Sequence, residues 1–315
     1  VSLVITNYDG KDILARCLPQ VISYAQSGDC IDEVVLVENG SRDGSHEFVL
    51  KEFPSVKIVL IDQNRGFAPG ANAGFRAARN QAVLLLSNDM VPGEGCVERL
   101  LPHLRDPRVF AVTARQLDGD GNIYLGVNGL SVKWGVPRAQ WGFHPRPEQE
   151  PRQAVTHFGG GISLYNRDHL LALGGFDEEL LVPFYIEDDD LFYRAWKRGF
   201  TVVYEPRACV YHYHEHPAAI AHRYDRRMRW RIEQKNRFIY VWKNVHDRKM
   251  FTAHLLRTCI QLLLPRFRYH VALADALKHR QRVLQKRREE RQASQRTDVE
   301  VVEAIRAHIP WDSAS

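Results

Sequence analysis

The chain has 315 residues and a mass of 36.3 kDa, enough for one large α/β domain with a smaller appendage. Hydrophobic residues make up 44% and charged residues 26%, which is ordinary for a soluble globular protein and argues against a disordered chain. No apolar run reaches the roughly 18 residues of a membrane-spanning helix, so no part of this sequence is expected to span a membrane.

The net charge of +5 is unevenly distributed. Residues 217–296 contain 21 Lys and Arg against 6 Asp and Glu, a net charge of +15, whereas the remainder has 22 against 32, a net charge of −10. An acidic body with a basic tail predicts that the tail meets something anionic. The 5 cysteines are odd in number, scattered and without a CxxC pair, which favours a reducing, cytoplasmic setting over a disulfide framework or a zinc site.

The first half of the chain alternates apolar runs with helical stretches. Four strands are predicted at Val1–Thr6, Glu33–Glu38, Val56–Ile61 and Ala82–Ser87, with helices at Lys11–Ser27, Ser45–Lys51 and Gly70–Asn80 between them. Short apolar strands separated by helices predict an α/β fold with a mostly parallel central sheet flanked by helices. Ligands of such sheets bind at the carboxyl ends of the strands.

Polar or glycine-rich loops follow each of the four predicted strands. They begin at Asn7, Asn39, Asn64 and Asn88. Turn chemistry explains any one of them, since Asn, Asp and Gly suit turns, but four on one edge indicate a binding site.

The second half is less regular. Arg115–Gln153 predicts loops with an antiparallel excursion, and a strand is expected after Gly161. Helices are predicted at Arg167–Leu173 and Glu187–Arg198, followed by a strand at Thr201–Glu205. From Ala218 onward the pattern is helical and basic, and beyond about Gln281 a free helix and disorder are equally compatible with the charge-rich composition.

Two carboxylate groups attract attention. Asp89 follows an apolar strand, where it suits Mg²⁺ or Mn²⁺ shared with phosphate oxygens, although a helix-capping Asp in a turn is the commoner explanation of a lone Asp. Glu187 begins a run of four adjacent acidic residues whose carboxylates repel one another. The favourable effect of negative charge at a helix N-terminus explains only one or two of them. An amphipathic pattern follows, so these acids are predicted in the first turn of a helix, facing the upstream loop.

Three histidines alternate just after a predicted strand. His212, His214 and His216 share a face in such a strand and could form a metal-binding trio. Nothing else in the chain has zinc-ligand spacing, so one histidine completing the site of Asp89 is the favoured interpretation. For His214 and His216 we favour surface or acceptor-side polar roles.

Six motifs in this order resemble glycosyltransferase family 2, in particular its rhamnosyltransferase-like branch acting on bacterial polysaccharides. They span Val1 to His216 and are Val4–Tyr8, Val37–Ser45, Asn64–Gly74, Leu86–Asp89, Gly174–Glu178 and Glu187–Leu191. The resemblance implies the GT-A fold, with a donor half at about 1–114, an acceptor half at about 115–216, and a basic helical region at 217–315. It further implies an inverting transfer of a sugar from a UDP-, dTDP- or GDP-linked donor to a saccharide or lipid-linked acceptor, with Mg²⁺ or Mn²⁺ as cofactor.

The resemblance also implies residue roles. Asp188 would be the catalytic base, with Glu187 beside it orienting the acceptor, and Glu38 would pair with the donor base. Asp89 and His212 would hold the metal. The remaining donor-binding positions would be Thr6, Asn7, Tyr8, Asn64, Arg65, Gly66, Asn72 and Asn88. Two positions depart from the family pattern, because Glu38 and Ser87 stand where aspartates are usual.

The basic tail has two interpretations. Ile220, Tyr224, Met228 and Ile232 recur every four residues among arginines, which is typical of a cationic amphipathic helix. Such a helix either lies on an anionic membrane surface at the inner face of the cytoplasmic membrane or packs on the catalytic body. For Leu255–Lys278 we favour membrane contact or a homo-oligomer interface.

Three rival functions were weighed. A dinucleotide-dependent oxidoreductase is disfavoured because no GxGxxG follows the first strand. A nucleic-acid-binding protein is disfavoured by the acidic body and the lack of an RNA-binding or helix-turn-helix signature. A catalytically inactive nucleotide-sugar-binding or scaffold homologue is the remaining alternative, and the retention of Asp89 and Asp188 argues against it.

Overall fold

The computed structural model describes residues 1–28, 30–140, 154–156, 162–213 and 223–307. The twelve strands are β1 (Ser2–Asn7), β2 (Glu33–Asn39), β3 (Lys57–Ile61), β4 (Ala82–Ser87), β5 (Met90–Pro92), β6 (Val109–Leu117), β7 (Ile123–Leu125), β8 (Gly129–Lys133), β9 (Val136–Gln140), β10 (Ala154–Val155), β11 (Ser163–Asn166) and β12 (Thr201–His212).

The helices divide into six that accompany the strands and five that follow them. The first six are α1 (Lys11–Gln26), α2 (Ser45–Glu52), α3 (Phe67–Ala77), α4 (Cys96–Leu100), α5 (Arg167–Ala172) and α6 (Glu187–Lys197). The last five are α7 (Arg226–Asn244), α8 (Arg248–Leu262), α9 (Phe267–Leu277), α10 (Arg280–Ala293) and α11 (Asp298–Arg306). A 3₁₀ helix, Leu101–Arg105, extends α4.

Ten strands form one mixed sheet. Eight of them run in the order β10-β12-β6-β11-β4-β1-β2-β3, with β5 paired to β12 and β7 paired to β6. The neighbours β4, β1, β2 and β3 are parallel, as predicted, while β11 inserts antiparallel between β4 and β6. Strands β8 and β9 form a separate hairpin, the antiparallel excursion expected after Arg115. The predicted elements of the first half are confirmed to within a few residues.

The alternation of side chains along the central strands supplies both faces of the sheet. Val4 of β1 and Leu85 of β4 point into one core, which also contains α3, α6 and parts of the tail. Ile5 and Leu86, one position further along, point into the opposite core beneath α1 and α4. This period of two is what a strand buried on both faces requires.

The basic tail packs on the catalytic body. Tyr240 and Val241 of α7 and Val301 and Ile305 of α11 are buried in the same core as α6. For residues 281–307 the expectation of a free helix or disorder is therefore wrong, because α10 and α11 bury apolar side chains and α11 begins with a capping box at Thr297.

The four-residue stripe predicted for the tail does not mark the buried face of α7. Met228 is 43% exposed, whereas the buried face is formed by Asn236, Phe238, Ile239 and Tyr240. The predicted domain boundary at 216 falls in residues 214–222, outside the described residues. No helix in the described part of the chain is both long and apolar enough to cross a membrane.

Candidate active site

The carboxyl ends of β1, β2 and β4 meet at one edge of the sheet, and their polar side chains form a chain of hydrogen bonds. Asn7 lies opposite Glu38 in the parallel register and donates from its amide to Glu38 Oε1. Asn88 Nδ2 donates in turn to Asn7 Oδ1 at 2.6 Å. Thr6, half-buried, stands opposite Val37 and next to Ser87 of β4. The structure thus brings four of the predicted donor-binding positions together.

Glu38 is held in place by several hydroxyl and amide groups. Ser45 Oγ donates to Oε2 at 2.6 Å and Ser41 Oγ donates to Oε1 at 3.1 Å. Burial raises the pKa of this carboxyl, and the hydrogen bonds from Ser45, Asn7 and Ser41 oppose that shift. A carboxylate oxygen accepts about two hydrogen bonds, so Oε2 keeps capacity for a further donor.

Glu38 also faces a cleft of about 400 Å³. The cleft is lined by the β2–α2 loop, the start of α2 and the end of β3: Glu38, Gly40, Ser41, Arg42, Gly44, Ser45, His46, Glu47, Leu60, Ile61 and Asp62. Its walls are mostly polar loop residues at the end of parallel strands, where ligands of such sheets bind.

Tyr8 is covered by an arginine from far along the chain. The guanidinium of Arg223 lies 4.3 Å from the centroid of the Tyr8 ring, and Nη1 donates to Asp9 Oδ2 at 3.1 Å. Sequence reasoning treated Arg223 only as part of a basic helix face. Nothing in the sequence connects positions 8 and 223, because the contact exists only after the tail has folded back.

The loop after β3 links this edge to the segment that precedes α6. Asn64 Oδ1 accepts from the Gly66 amide at 2.8 Å, while Asn64 and Arg65 are exposed. Gly66 has φ +102°, and a Cβ there would collide with the backbone of Pro183. The Phe67 amide donates to Pro183 O at 3.0 Å, so glycine is required where the two loops touch.

Asn72 does not join the other predicted donor residues at the strand ends. Asn72 lies within α3 and is only 3% exposed. Both ends of its side-chain amide contact the Phe176 backbone: Nδ2 donates to the Phe176 carbonyl and Oδ1 accepts from the Phe176 amide, each at 2.9 Å. Asn72 thereby fixes the Gly174–Glu178 turn against α3.

Asp89 and His212 are brought together by the pairing of β5 with β12. His212 lies opposite Met90, and the Tyr213 amide donates to Asp89 O at 2.9 Å. His212 Nε2 lies 3.3 Å from Asp89 Oδ2, and its Nδ1 lies 3.2 Å from Gln116 Oε1. The predicted His214 and His216 lie outside the described residues.

Asp89 and His212 fit a metal ion whose remaining ligands come from a bound phosphate group and not from the described residues. Asp89 Oδ1 is buried without a hydrogen-bond partner among the described residues, and Gln116 orients the imidazole as an outer partner of a metal-binding histidine would. A search of the same residues finds no group of three or more His, Cys, Asp or Glu that could hold a metal ion. The protein therefore offers one carboxylate and one imidazole, and phosphate oxygens are the natural complement.

The four acidic residues occupy the first turn of α6, as predicted, but they have different surroundings. Asp190 is fully buried and accepts from Arg194 Nε at 2.8 Å and from Asn244 Nδ2 at 2.7 Å. Asp189 Oδ1 lies 3.4 Å from the Ala139 amide. These two side chains are tied to neighbouring elements.

No hydrogen bond or ion pair between described residues ties the side chains of Glu187 and Asp188 in the same way. Glu187 Oε2 and Asp188 Oδ1 are buried and, within the described ranges, find no hydrogen-bond partner. Burial, reinforced by the charge of Asp189, raises the pKa of Asp188 to about 7. Burial and the charge of Asp188 raise the pKa of Glu187 well above its usual range. The pair therefore offers a carboxyl that titrates near neutrality, a property suited to proton transfer.

Known proteins support a sugar-transfer site. The profile of Glycosyl transferase family 2 matches residues 2–174, more than half of the chain. A second profile, the N-terminal domain of galactosyltransferase, matches residues 144–217.

Curated relatives are similar at modest identity. The N-acetylglucosaminyl-diphospho-decaprenol L-rhamnosyltransferase of Mycobacterium tuberculosis is 28% identical over 207 residues, covering 58% of this chain and 67% of the relative. The poly-beta-1,6-N-acetyl-D-glucosamine synthase of Staphylococcus aureus is 21% identical over 215 residues, covering 66% of this chain. The chain spans only 48% of that synthase.

Solved structures show the same fold. TarS residues 1–349 of S. aureus, in complex with UDP-GlcNAc, superposes with a TM-score of 0.59 at 14% identity, covering 97% of this chain and 90% of TarS. GalNAc-T7 with UDP, GalNAc and Mn²⁺ superposes with a TM-score of 0.60 at 16% identity, covering 87% of this chain and 54% of GalNAc-T7. These neighbours confirm the predicted GT-A fold with its mostly parallel sheet and C-terminal helical region.

Proposed function

Since this chain belongs to glycosyl transferase family 2 and is a glycosyltransferase, we propose that it acts as a metal-dependent, inverting enzyme on a nucleotide-diphosphate sugar. The observation that carries the proposal is the state of Asp188. Its carboxyl lies in the first turn of α6, has a pKa raised to about 7 and has one oxygen without a partner among the residues described.

The donor nucleotide is assigned to the strand ends around Glu38. The remaining acceptor capacity of Glu38 suits an N–H of the base, and the cleft beside it has room for a nucleoside. Tyr8, Asn64, Arg65, Gly66 and Asn88 are assigned to donor binding, while Asn72 acts by fixing the turn at Phe176. This arrangement suits a UDP-, dTDP- or GDP-linked sugar.

Asp89 and His212 would hold Mg²⁺ or Mn²⁺ together with the donor's diphosphate. When bound, such an ion neutralises negative charge on the leaving nucleotide. Two structural neighbours, GalNAc-T7 and the mannosyltransferase PcManGT of Pyrobaculum calidifontis, were solved with Mn²⁺ and a nucleotide or nucleotide-sugar.

Asp188 supplies the chemistry on the acceptor side. Its carboxylate takes the proton of an acceptor hydroxyl as that oxygen attacks the anomeric carbon from the face opposite the nucleotide. The anomeric carbon–oxygen bond to the diphosphate breaks, so configuration is inverted and the nucleoside diphosphate leaves with the bonding electron pair. Glu187, whose pKa is raised by burial and by the charge of Asp188, lies beside this base and orients the acceptor.

The acceptor is proposed to be a lipid-linked saccharide of bacterial cell-surface polysaccharide synthesis, met at the cytoplasmic face of the membrane. The mycobacterial relative's name specifies a diphospho-decaprenol-linked N-acetylglucosamine, which supports this choice. In this scheme residues 1–114 bind the donor, 115–216 face the acceptor and 217–315 complete the fold.

The test is nucleotide release from a panel of UDP-, dTDP- and GDP-sugars with Mg²⁺ or Mn²⁺. We expect activity to disappear in EDTA, to return with either metal, and to fall strongly in Asp89→Asn. Full activity in chelator would contradict the metal assignment. Nucleotide binding with no release from any donor, even with saccharide acceptors supplied, would instead indicate a nucleotide-sugar-binding protein.

A further inference from the structure

The turn between α8 and α9 exposes a concentration of apolar side chains. Leu263 is 86% exposed and Phe267 is 79% exposed, the two largest values among the exposed large hydrophobic residues of the described chain. Leu255, Leu256, Ile260, Leu262 and Leu264 are also exposed, on α8 and the turn. An exposed cluster of this size marks an interaction surface.

Arginines surround this cluster. Between Arg248 and Ala274 the sequence has five basic residues and no acidic one. A groove of about 770 Å³ runs between the start of α7 and the α8–α9 turn. Four of the residues that line it are arginines: Arg226, Arg227, Arg266 and Arg268. Trp230, Phe267 and Tyr269 form its apolar wall.

These arginines differ from the other cations of the tail. Lys243 and Lys286 form ion pairs with Asp177, and Arg282 pairs with Glu179. No salt bridge between described residues uses the four groove arginines, and the Arg266 side chain donates to the neutral Gln261 Oε1 at 2.7 Å. The acidic body therefore pairs with some of the tail's cations and leaves the charge of this face unpaired within the described chain.

We propose that the Leu263–Phe267 turn and the groove arginines form a docking surface for an anionic phospholipid bilayer. Apolar side chains at a tip enter the acyl boundary, while arginines next to them stay at the phosphate level, which is the arrangement of an interfacial anchor. A symmetric dimer through the same face would set arginines against arginines and is disfavoured. The link to a lipid-linked acceptor rests on the proposed function, but lipid binding itself does not.

The experiment is co-sedimentation of the full chain with two kinds of vesicle. One contains only phosphatidylcholine, and the other also contains roughly 30 to 40% phosphatidylglycerol, which gives its surface a negative potential. We expect binding only to the anionic vesicles and weakening as salt rises. Arg266→Gln with Arg268→Gln should lower partitioning about five-fold per charge removed. Leu263→Ser with Phe267→Ser should abolish stable binding.

Leu50→Ser is the matched control, since Leu50 is 53% exposed on α2 of the catalytic body, and it should bind like wild type. Donor hydrolysis and the unfolding temperature are measured in parallel and should be unchanged in all variants. This readout separates the two proposals, because an inactive protein that binds vesicles refutes only the proposed function. Equal partitioning of wild type and the Leu263/Phe267 variant, or equal binding to neutral vesicles, overturns the docking surface. Loss of self-association in that variant, without vesicle binding by wild type, would show that a second copy covers this face.

Discussion

Neighbouring carboxylates in the first turn of α6 have opposite properties because their surroundings differ. Burial would raise the pKa of Asp190, but the charges of Lys243 and Arg194 outweigh it and the pKa is lowered. Two residues earlier, no cation among the described residues offsets the burial of Asp188, and its pKa rises to about 7. One side chain is therefore a fixed anion and the other can exchange a proton near neutral pH.

Replacing Asp188 with Asn keeps the shape of the side chain and removes its basicity. We expect transfer to fall about 10²–10⁴-fold with donor binding retained. In the wild type, kcat/KM should fall about ten-fold per pH unit below pH 7, because the protonated carboxyl cannot accept the acceptor's proton. Initial rates across pH 5.5 to 8.5 (about the range that brackets this pKa) measure both.

Asp189→Asn is the control, since that carboxylate contacts the Ala139 amide and should be dispensable for proton transfer. Because its charge raises the pKa of Asp188, its loss should move the fall in kcat/KM to lower pH without abolishing transfer. Near wild-type transfer by Asp188→Asn would move the base role to Glu187 or Asp189. Stability offers a second check on Asp188. A raised pKa in the folded state means that stability is lost as pH rises toward 7, so Asp188→Asn should raise the unfolding temperature more at high pH than at low pH.

At the scale of elements, α7 supports the loop that leads into the catalytic helix. Asn236 is fully buried, and its Nδ2 donates to Phe184 O at 3.0 Å and to Tyr185 O at 2.9 Å. Lys235 Nζ donates to Val182 O at 2.8 Å. The loop needs this support because Tyr185 and Ile186 both have φ +72°, a conformation unfavourable for side chains of their size.

Asn236→Ala leaves two carbonyls without their donor and should cost about 1–3 kcal/mol of unfolding free energy. Because Glu187 and Asp188 follow this loop directly, we expect kcat to fall up to about 100-fold, with a smaller effect on donor binding. Urea unfolding and transfer kinetics measure the two effects. Gln234→Ala, half-buried on the same helix, should alter neither, and an unchanged kcat in Asn236→Ala would show that the loop keeps its position without α7.

At the scale of the whole molecule, the acidic body and the basic tail are joined by buried charges. Lys243 Nζ lies 2.6 Å from both Asp177 Oδ2 and Asp190 Oδ1, and Lys197 Nζ lies 2.9 Å from Asp298 Oδ1. Burial would raise the pKa of Asp177, but Lys243 and Lys286 lower it well below its usual range. The stabilisation from such carboxylates is present above their unfolded pKa near 4 and is lost as pH falls below it.

Lys243→Met tests this junction. It leaves two buried carboxylates with fewer partners, and we expect a loss of about 3–5 kcal/mol in unfolding free energy at pH 7. Arg282→Gln removes an exposed pair at the same interface, with Glu179 48% exposed, and should cost about 1 kcal/mol or less. Equal losses in urea unfolding would mean that burial does not distinguish the two pairs.

Much of the donor edge could be predicted from the sequence. The parallel strands follow from apolar runs that a buried sheet requires, and Asn7, Glu38 and Asn88 meet because parallel strands end at one edge. Asn72 belongs to the same motif as Asn64, yet it points into the protein, since the orientation of a helical residue depends on what packs against the helix. The sequence suggested that a histidine completes the site of Asp89, but only the pairing of β5 with β12 brings the His212 and Asp89 side chains within 3.3 Å.

Local pattern thus determined the strands, the polar loops at their ends and the acidic first turn of α6, because backbone geometry and side-chain periodicity act over a few residues. Tertiary structure alone decided that Arg223 covers Tyr8, that lysines of the tail pair with Asp177 and that Leu263 stays exposed. Composition indicated that the basic tail meets anions, but not which ones. Arginines and lysines of the tail are chemically alike in the sequence, and long-range contacts determine which of them pair with carboxylates. Only the folded chain therefore shows which charges the acidic body neutralises and which remain at the surface.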